Sequence, residues 1–132
     1  MVTGGKGIHV VADLRRTATW ETVKLFARTF AHLVAVEEPE RYVATMSKAK
    51  RSGKIFVDWL RNEEQATAIS PFSIRARAGA PVAMPLSWEA LEGETSASGY
   101  NLRTAAEHGS KIAPKRERPA SLEAVARRLI DG

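Results

Sequence analysis

A glycine-rich segment near the start of the sequence has residue types that suit phosphate binding. Residues 3–9 read Thr-Gly-Gly-Lys-Gly-Ile-His. Glycines let a backbone approach a ligand closely and turn its N–H groups towards an anion, while Lys6 adds a charge and Thr3 adds a hydroxyl. The spacing matches neither a P-loop nor a dinucleotide-binding fingerprint. The segment containing Gly7 is therefore either an anion-binding loop or simply a flexible glycine-rich stretch.

His9 follows Gly7 by two residues and begins a segment rich in β-branched residues. An imidazole can donate a hydrogen bond to a phosphate in either tautomer, and it donates more strongly when charged. The same position is also typical of a histidine that is hydrogen-bonded within a strand. The residues alone leave both interpretations of His9 open.

Asp58 has the most unusual context of the acidic residues. It lies in the segment Lys-Ile-Phe-Val-Asp-Trp-Leu at residues 54–60, which predicts a strand. A carboxylate among such neighbours is expected to be mostly excluded from water, and a buried charge needs a cation or a metal. Asp58 therefore predicts either an ion pair, for example with Arg61, or a ligand for magnesium or manganese, because hard cations bind carboxylate oxygen.

Two groups of cationic residues extend the candidate site. Arg75 and Arg77 lie two residues apart in a segment predicted to be extended, so an anion between them would relieve their repulsion. The alternative for this pair is a solvated edge strand. A basic run between a predicted helix and the next strand is either a solvated turn or a contact for a DNA backbone. This run consists of Lys48, Lys50, Arg51 and Lys54.

The composition limits the class of protein. A chain of 132 residues with 44% hydrophobic residues has the length of one domain and can bury a sizeable core. A net charge of +5 fits a phosphate-bearing partner, but also a solvated basic face. The absence of cysteine excludes disulfides, thiolate zinc sites and cysteine nucleophiles. Without a long apolar run or a recognisable signal peptide, we expect a cytoplasmic protein with no membrane contact.

Hydrophobic periodicity predicts the elements that position these residues. Alternation and β-branched residues indicate strands at residues 7–14 and 54–60. Apolar residues at helical spacing predict a helix over residues 20–38, with Thr19 as its N-cap. Pro39 should end this helix, because the residue before a proline is disfavoured in the helical conformation.

The remaining segments complete the prediction of a single domain over residues 1–132. Residues 39–50 are expected to form a shorter helix, and Ser87 is expected to cap a helical turn. A core over residues 3–104 would be followed by a linker at 105–119 and a C-terminal helix at 120–132. The predicted fold class is α/β, or α+β in stricter terms, with a mixed or antiparallel sheet and packed helices.

Three ordered motifs together resemble one protein family. GGKGIHVVADL, ERYVATMSKAKRSGKIFVDWLRN and ATAISPFSIRARAGAPVAMPLSWEAL closely resemble segments of the polymerase domain of bacterial DNA ligase D, in the archaeo-eukaryotic primase superfamily. The resemblance runs from residue 3 to residue 91 and continues weakly to residue 104. It implies a DNA polymerase or primase, a nucleotidyltransferase that adds ribo- or deoxynucleotides to DNA ends during non-homologous end joining. A nucleoside triphosphate and a DNA end would be its partners.

The resemblance also implies roles for individual residues. In the family, a Ser-Gly-x-Lys-Gly-x-His motif binds the triphosphate of the incoming nucleotide. The matching positions are Thr3, Lys6, Gly7 and His9, with Thr in place of the usual Ser. Asp58 matches the third metal-binding aspartate, which is catalytic and binds magnesium or manganese. Arg61 and Arg75 match arginines that support active-site charge or phosphates.

One departure from the family pattern changes the expected activity. The family carries an Asp-x-Asp pair that supplies its main metal ligands, whereas the only aspartates here are Asp13, Asp58 and Asp131. Two-metal nucleotidyl transfer needs carboxylates to hold both ions. The expectation is a truncated polymerase-like chain that is inactive alone and is completed by a separate N-terminal half or by self-association. The alternative is a non-catalytic nucleotide- or DNA-binding module, or a remnant.

Overall fold

The computed structural model of the chain describes residues 1–93, 96–112, 114 and 118–131. The chain divides into two compact units. The first unit comprises Met1–Asp13 and Ile69–Pro119, and the second comprises Leu14–Ala68 and Ala120–Gly132. A single domain over the whole chain stays a prediction.

Two capped helices belong to the second unit. Helix α1 spans Trp20–Glu37, and the Thr19 hydroxyl accepts a hydrogen bond from the N–H three residues later, at 3.3 Å. The last helix of the chain, which spans Leu122–Asp131, begins after Ser121, whose hydroxyl accepts a corresponding bond at 3.2 Å. Such caps satisfy N–H groups that have no partner inside a helix. The predicted first and last helices and the Thr19 cap are confirmed.

The second unit also contains a two-stranded parallel sheet. Strand β1 (Tyr42–Val43) pairs with strand β2 (Ile55–Phe56), and a 3₁₀ turn at Lys48–Arg51 lies between them in sequence. The prediction of a helix over residues 39–50 is wrong. Tyr and Val favour extended backbone, and here they pair with a second extended segment, which supplies the hydrogen bonds that a helix would have made internally.

The two predicted strands are shorter than expected or absent. Of residues 54–60, only Ile55–Phe56 form a strand. Residues 7–14 form no strand, and they hold only isolated bridges at Ile8 and Leu14. Val10 is 70% exposed, so the β-branched run does not lie in a core. A β-branched run becomes a strand only where a neighbouring segment offers a ladder of hydrogen bonds.

The first unit is organised around paired segments rather than long strands. Val2 bridges Ile8 on one side and Met84 on the other, both antiparallel, and Ile74 bridges Val82 in the same sense. Val2 and Met84 are each at most 1% exposed. A small hydrophobic core forms around this pair. Its other members are Leu86, Ala90, Leu91, Tyr100 and Ala105.

Two helices complete the first unit. Helix α2 spans Trp88–Glu92, and the predicted cap Ser87 accepts a hydrogen bond from the N–H of Ala90 at 3.3 Å. Helix α3 spans Leu102–Ile112, so the prediction of a linker throughout residues 105–119 is wrong. The Asn101 side chain accepts bonds from the first N–H groups of α3, and such a cap allows a polar segment to begin a helix. The C-terminal helix Leu122–Asp131 is therefore α4.

The fold class is α/β, as predicted. Helices dominate, the small sheet is parallel, and the isolated bridges are of both kinds, because Leu14 pairs with Ala120 in the parallel sense. None of the helices in the described ranges has the length and apolar character needed to cross a membrane.

Candidate functional site

The glycine-rich segment forms a closed turn in the first unit. The Thr3 N–H donates to the carbonyl oxygen of Gly7 at 3.2 Å, and the Thr3 hydroxyl donates to the same oxygen at 2.7 Å. This hydroxyl also accepts a bond from the Gly5 N–H at 3.3 Å. Thr3 thus connects the start of the turn to its end at Gly7. Gly4 lies at its start with a φ of 65°, a conformation that glycine adopts without strain.

Arg75 lies against this turn although it is distant in sequence. A Cβ atom placed on Gly4 would lie 2.9 Å from Cγ of Arg75 and 3.2 Å from the carbonyl oxygen of Pro81. A Cβ atom placed on Gly5 would lie 3.9 Å from Nη2 of Arg75. The stem of Arg75 therefore packs on Gly4, and its guanidinium lies beside Gly5. The structure brings together Thr3 and Arg75, two of the predicted site residues.

The charge around the turn is positive. Lys6 is exposed, and neither residues 1–9 nor residues 72–84 contain an acidic side chain. Within the described part of the chain, the N–H groups of Lys6 and Gly7 donate to no acceptor. Unpaired backbone N–H groups, an exposed lysine and a guanidinium beside Gly5 are donors of the types that bind an anion.

His9 is half-buried and follows the end of the turn by two residues. Its backbone N–H donates to the carbonyl oxygen of Met1 at 2.8 Å, and the amino group of Met1 donates to the carbonyl oxygen of His9 at 2.9 Å. Burial lowers the pKa of the Met1 amino group below its ordinary value. The backbone of His9 therefore closes the base of the turn.

Asp58 differs from its prediction. It lies beyond the end of β2, its side chain is exposed, and its carboxylate accepts a hydrogen bond from the N–H of Leu60 at 3.1 Å. The expectation of a carboxylate excluded from water is wrong, because the strand that would have buried it stops at Phe56. His9 and Asp58 do not lie on neighbouring strands, since neither belongs to a strand. They belong to different units.

The other predicted cations have separate positions and partners. Arg61 donates from Nη1 to the carbonyl oxygen of Thr67 at 3.0 Å. Lys54 donates to the carbonyl oxygen of Pro39 at 2.7 Å. Lys48 and Lys50 are exposed on the 3₁₀ turn. Arg77 lies in a turn, where its N–H donates to the carbonyl oxygen of Arg75, so this arginine pair does not share an extended strand.

The residues present do not assemble a metal centre. Across the described ranges, no group of three or more His, Asp or Glu side chains is close enough to hold a metal ion. Asp58 accepts a hydrogen bond from the backbone N–H of Leu60 and belongs to no such group. A two-metal site requires several carboxylates around both ions. The described residues therefore fit an anion site better than a magnesium or manganese site.

A comparison with known families identifies the family to which this chain belongs. The family model described as "LigD, primase-polymerase domain" matches residues 1–113. The chain belongs to this family. The resemblance found in the sequence motifs is thereby confirmed.

Three LigD relatives show how much of a larger protein this chain matches. The "Multifunctional non-homologous end joining protein LigD" of Pseudomonas aeruginosa is 41% identical over 102 residues, which cover 77% of this chain and 12% of that protein. The protein of the same name from Mycolicibacterium smegmatis is 33% identical over 91 residues, or 69% of this chain and 12% of its own length. The "Bifunctional non-homologous end joining protein LigD" of Bacillus subtilis is 27% identical over 104 residues, which cover 78% of this chain and 17% of that protein.

A solved structure supports the same assignment. The polymerase domain from Mycobacterium tuberculosis Ligase D, in complex with DNA, matches with a TM-score of 0.59 and 29% sequence identity. The match covers 68% of this chain and 32% of that chain. This chain therefore matches about a third of a LigD polymerase domain.

The sequence motifs do not reveal the packing role of Gly4 or the contribution of Ala97. The N–H of Gly4 donates to the carbonyl oxygen of Ala97 at 2.8 Å, so a loop distant in sequence also supports the turn. No local pattern points to a backbone carbonyl as a partner. The unusual density of glycines at residues 4–7 is the feature that could have indicated a close approach of another chain segment.

Proposed function

We propose that this chain binds the triphosphate of a nucleoside triphosphate at the glycine turn, as part of a LigD-type polymerase acting on DNA ends in cytoplasmic non-homologous end joining. The observation that carries the proposal is the turn itself, which Thr3 closes and against which Arg75 lies. The family supports it, because the relatives are named as end-joining proteins. Lys6, Gly7 and His9, which belong to the same unit, complete the proposed nucleotide contacts.

The chemistry of the turn favours a polyphosphate over other ligands. The Lys6 ammonium and the Arg75 guanidinium donate charge-assisted hydrogen bonds, and phosphate oxygens accept such bonds readily. The backbone N–H groups of Lys6 and Gly7 add donors that carry no preference for a base. We therefore expect recognition of the phosphates without strong discrimination between bases.

DNA is the second proposed partner. The solved relative is a complex with DNA. Lys48 and Lys50 are exposed on a turn, where they could neutralise backbone phosphates, and Arg51 and Lys54 shape that turn through bonds to carbonyl oxygens. Such contacts position a protein on DNA without reading its sequence.

We infer that the 132-residue chain does not catalyse nucleotidyl transfer by itself. Asp58 is its only aspartate that matches a metal ligand of the family, and the described residues form no carboxylate cluster. Two-metal nucleotidyl transfer needs several carboxylates to hold both ions against the attacking hydroxyl and the triphosphate, and the described residues supply no such group. Template-primed extension with manganese should therefore show no product above background, and template-dependent addition would overturn this inference.

Titration of the chain with a nucleoside triphosphate tests the binding proposal directly. Calorimetry should show saturable binding to the wild type, and Lys6→Ala should weaken it about tenfold, because a charge-assisted hydrogen bond is lost. Lys111→Ala is the matched control, since it removes one exposed lysine of the same unit on α3. Equal affinity for all three proteins, or no binding to the wild type, would contradict the proposal.

A further inference from the structure

Phe72 occupies a turn position that usually holds glycine. The N–H of Ser73 donates to the carbonyl oxygen of Ser70 at 3.3 Å, so residues 70–73 form a β-turn. Pro71 is the second residue of this turn, and Phe72 is the third, with a φ of 63°. Turns with a positive φ at the third position favour glycine or asparagine there, because a bulky side chain strains the backbone. An aromatic ring therefore stands where glycine would leave the backbone relaxed.

The ring of Phe72 is held in place but remains open to solvent. The N–H of Phe72 donates to the carbonyl oxygen of Ala83 at 2.7 Å, which fixes the backbone. A Cβ atom placed on Gly109 would lie 3.5 Å from Cε1 of Phe72, so one edge of the ring packs on α3. Phe72 is nevertheless 55% exposed. A ring held at one edge and open elsewhere is a surface on which a flat ligand can stack.

The surroundings of Phe72 in the chain are basic. Residues 65–88 contain two arginines, Arg75 and Arg77, and no Asp or Glu. Antiparallel backbone pairing makes residues 72–83 a hairpin, so the ring and both arginines belong to one element of the first unit. An open aromatic ring beside cations is typical of proteins that bind a single nucleic-acid strand, because bases stack on the ring and cations neutralise phosphates.

We propose that this hairpin, the Phe72 hairpin, binds single-stranded DNA, with one base stacked on the ring of Phe72 and a phosphate contacted by the exposed Arg77. The inference rests on the proposed function, in which DNA is a partner, and goes beyond it by assigning the residue that contacts a base. Backbone strain at a residue persists where the surrounding structure enforces it, and it is often found at binding sites. Bases inside a duplex already stack on one another, so the site takes an unpaired base at a DNA end.

The first test compares two labelled DNA strands of equal length by fluorescence anisotropy. One strand carries thymine throughout, and the other has abasic sites at its central positions, so both have the same number of phosphates. The wild type should bind the thymine strand about fivefold or more tightly, which is the effect of stacking one base on one aromatic side chain. Phe72→Leu should bind both strands equally, and Phe72→Trp should restore the preference.

Each result of this comparison has a defined meaning. If the wild type binds both strands equally, the stacking role of Phe72 is overturned, while DNA binding by the chain stands. If Phe72→Leu loses the same affinity for both strands, the ring is only structural and the proposal is also overturned. If the wild type binds neither strand, DNA fails as a partner in the proposed function, and the stacking role fails with it. Binding of a nucleoside triphosphate is measured separately and is not decided by these strands.

Two other residues of the Phe72 hairpin provide controls. Ile74 is 54% exposed and has no ring, so Ile74→Ala should keep the preference for the thymine strand. Arg77→Ala should weaken binding of both strands equally and reduce the dependence of affinity on salt, because a phosphate contact is lost. Loss of the preference in Ile74→Ala would indicate general apolar contact instead of stacking and would overturn the proposal.

The second test examines the backbone strain at Phe72 by thermal melting. Phe72→Gly and Phe72→Ala both remove the ring, but only glycine adopts a φ of 63° without strain. Glycine ordinarily lowers stability relative to alanine, because it increases the freedom of the unfolded chain. Here Phe72→Gly should melt at a higher temperature than Phe72→Ala, and neither should prefer the thymine strand. A lower melting temperature for Phe72→Gly would contradict the strain on which the proposal depends. Phe72→Gly also replaces Phe72→Leu in the first test if the leucine variant does not fold.

Discussion

The Arg51 guanidinium shows how a single cation can be committed to its own fold. It donates from Nε to the carbonyl oxygen of Thr45 at 3.1 Å and from Nη2 to that of Met46 at 2.7 Å. It also lies 3.7 Å from the centroid of the Phe56 ring. A planar guanidinium can donate to two carbonyls and face a ring at once, which an ammonium cannot. Arg51 therefore fixes the turn that presents its lysine neighbours.

Replacing Arg51 by lysine should destabilise the second unit although the charge is kept. We expect Arg51→Lys to lower the free energy of unfolding by about 1–2 kcal/mol, because one carbonyl bond and the ring contact are lost. Urea denaturation gives this value. The reciprocal change Lys50→Arg, at an exposed position of the same turn, should remain within about 0.5 kcal/mol of the wild type. Equal stability of both variants would contradict this role of Arg51.

At the scale of residues, local sequence indicates residue types but not their surroundings. The segment around Thr3 and Lys6 indicates either an anion-binding loop or a flexible stretch, and the structure shows a turn that Thr3 closes, while anion binding there stays a prediction. The packing of Arg75 on Gly4 could not be predicted, because it joins segments that are distant in sequence. The apolar run around Asp58 predicts burial, but its side chain is exposed. An apolar run does not reveal where its pairing partner ends.

Among the elements, α1 depends mostly on local sequence. Thr19 begins it, apolar residues at helical spacing continue it, and Pro39 follows its end. Strand β1 is the opposite case. Tyr42–Val43 is extended because Ile55–Phe56 pairs with it, and no local pattern at residues 39–50 identifies that partner. Short strands are therefore predicted less well than capped helices, since their hydrogen bonds come from elsewhere in the chain.

Removal of the α1 cap should have both an energetic and an electrostatic effect. Thr19→Ala should lower the free energy of unfolding by about 1 kcal/mol, because a helix N–H loses its acceptor. The pKa of Glu21 is lowered first by a bond to its own backbone N–H and then by the Thr19 hydroxyl. The variant should therefore raise the pKa of Glu21 towards its ordinary value, as measured by NMR titration.

The pH dependence of this effect has a defined sign. The pKa of Glu21 in the folded state lies below its ordinary value of 4.5. The ionised carboxylate therefore stabilises the folded state above pH 4.5, and this stabilisation is lost as the pH falls through the lowered pKa. Thr19→Ser should keep both the stability and the lowered pKa. An unchanged pKa in Thr19→Ala would show that the hydroxyl does not act on Glu21.

For the whole molecule, burial is limited to a few side chains. In the described ranges, the buried hydrophobic residues are Val2, Ala31, Ala44, Val82, Ala83, Met84, Leu86 and Leu122. Several apolar residues of α1 remain open to solvent, including Leu25 at 64% and Val36 at 75%. The composition permitted a sizeable core, but it could not reveal how much of the apolar surface finds a partner. The α/β class was predictable, whereas the division into two units was not.

The small core of the first unit makes Met84 a sensitive position. Met84 is 0% exposed and packs with Val2 and Leu86. Met84→Ala should lower the free energy of unfolding by about 2–5 kcal/mol, through lost burial and a cavity. Met46→Ala is the matched control, because Met46 is 62% exposed and should change stability by about 0.5 kcal/mol or less. Urea denaturation monitored by circular dichroism compares them, and similar losses would refute the assigned core.

Val2 has backbone partners on both sides: it bridges Ile8 on the glycine turn and Met84 in the core. Ligand binding at the turn and the stability of the core are thus thermodynamically linked through Val2. A ligand that prefers the closed turn must raise the melting temperature of this unit, in proportion to the logarithm of its concentration once it saturates. Simple thermal-shift screening of phosphate compounds can therefore rank ligands for this chain without any catalytic assay.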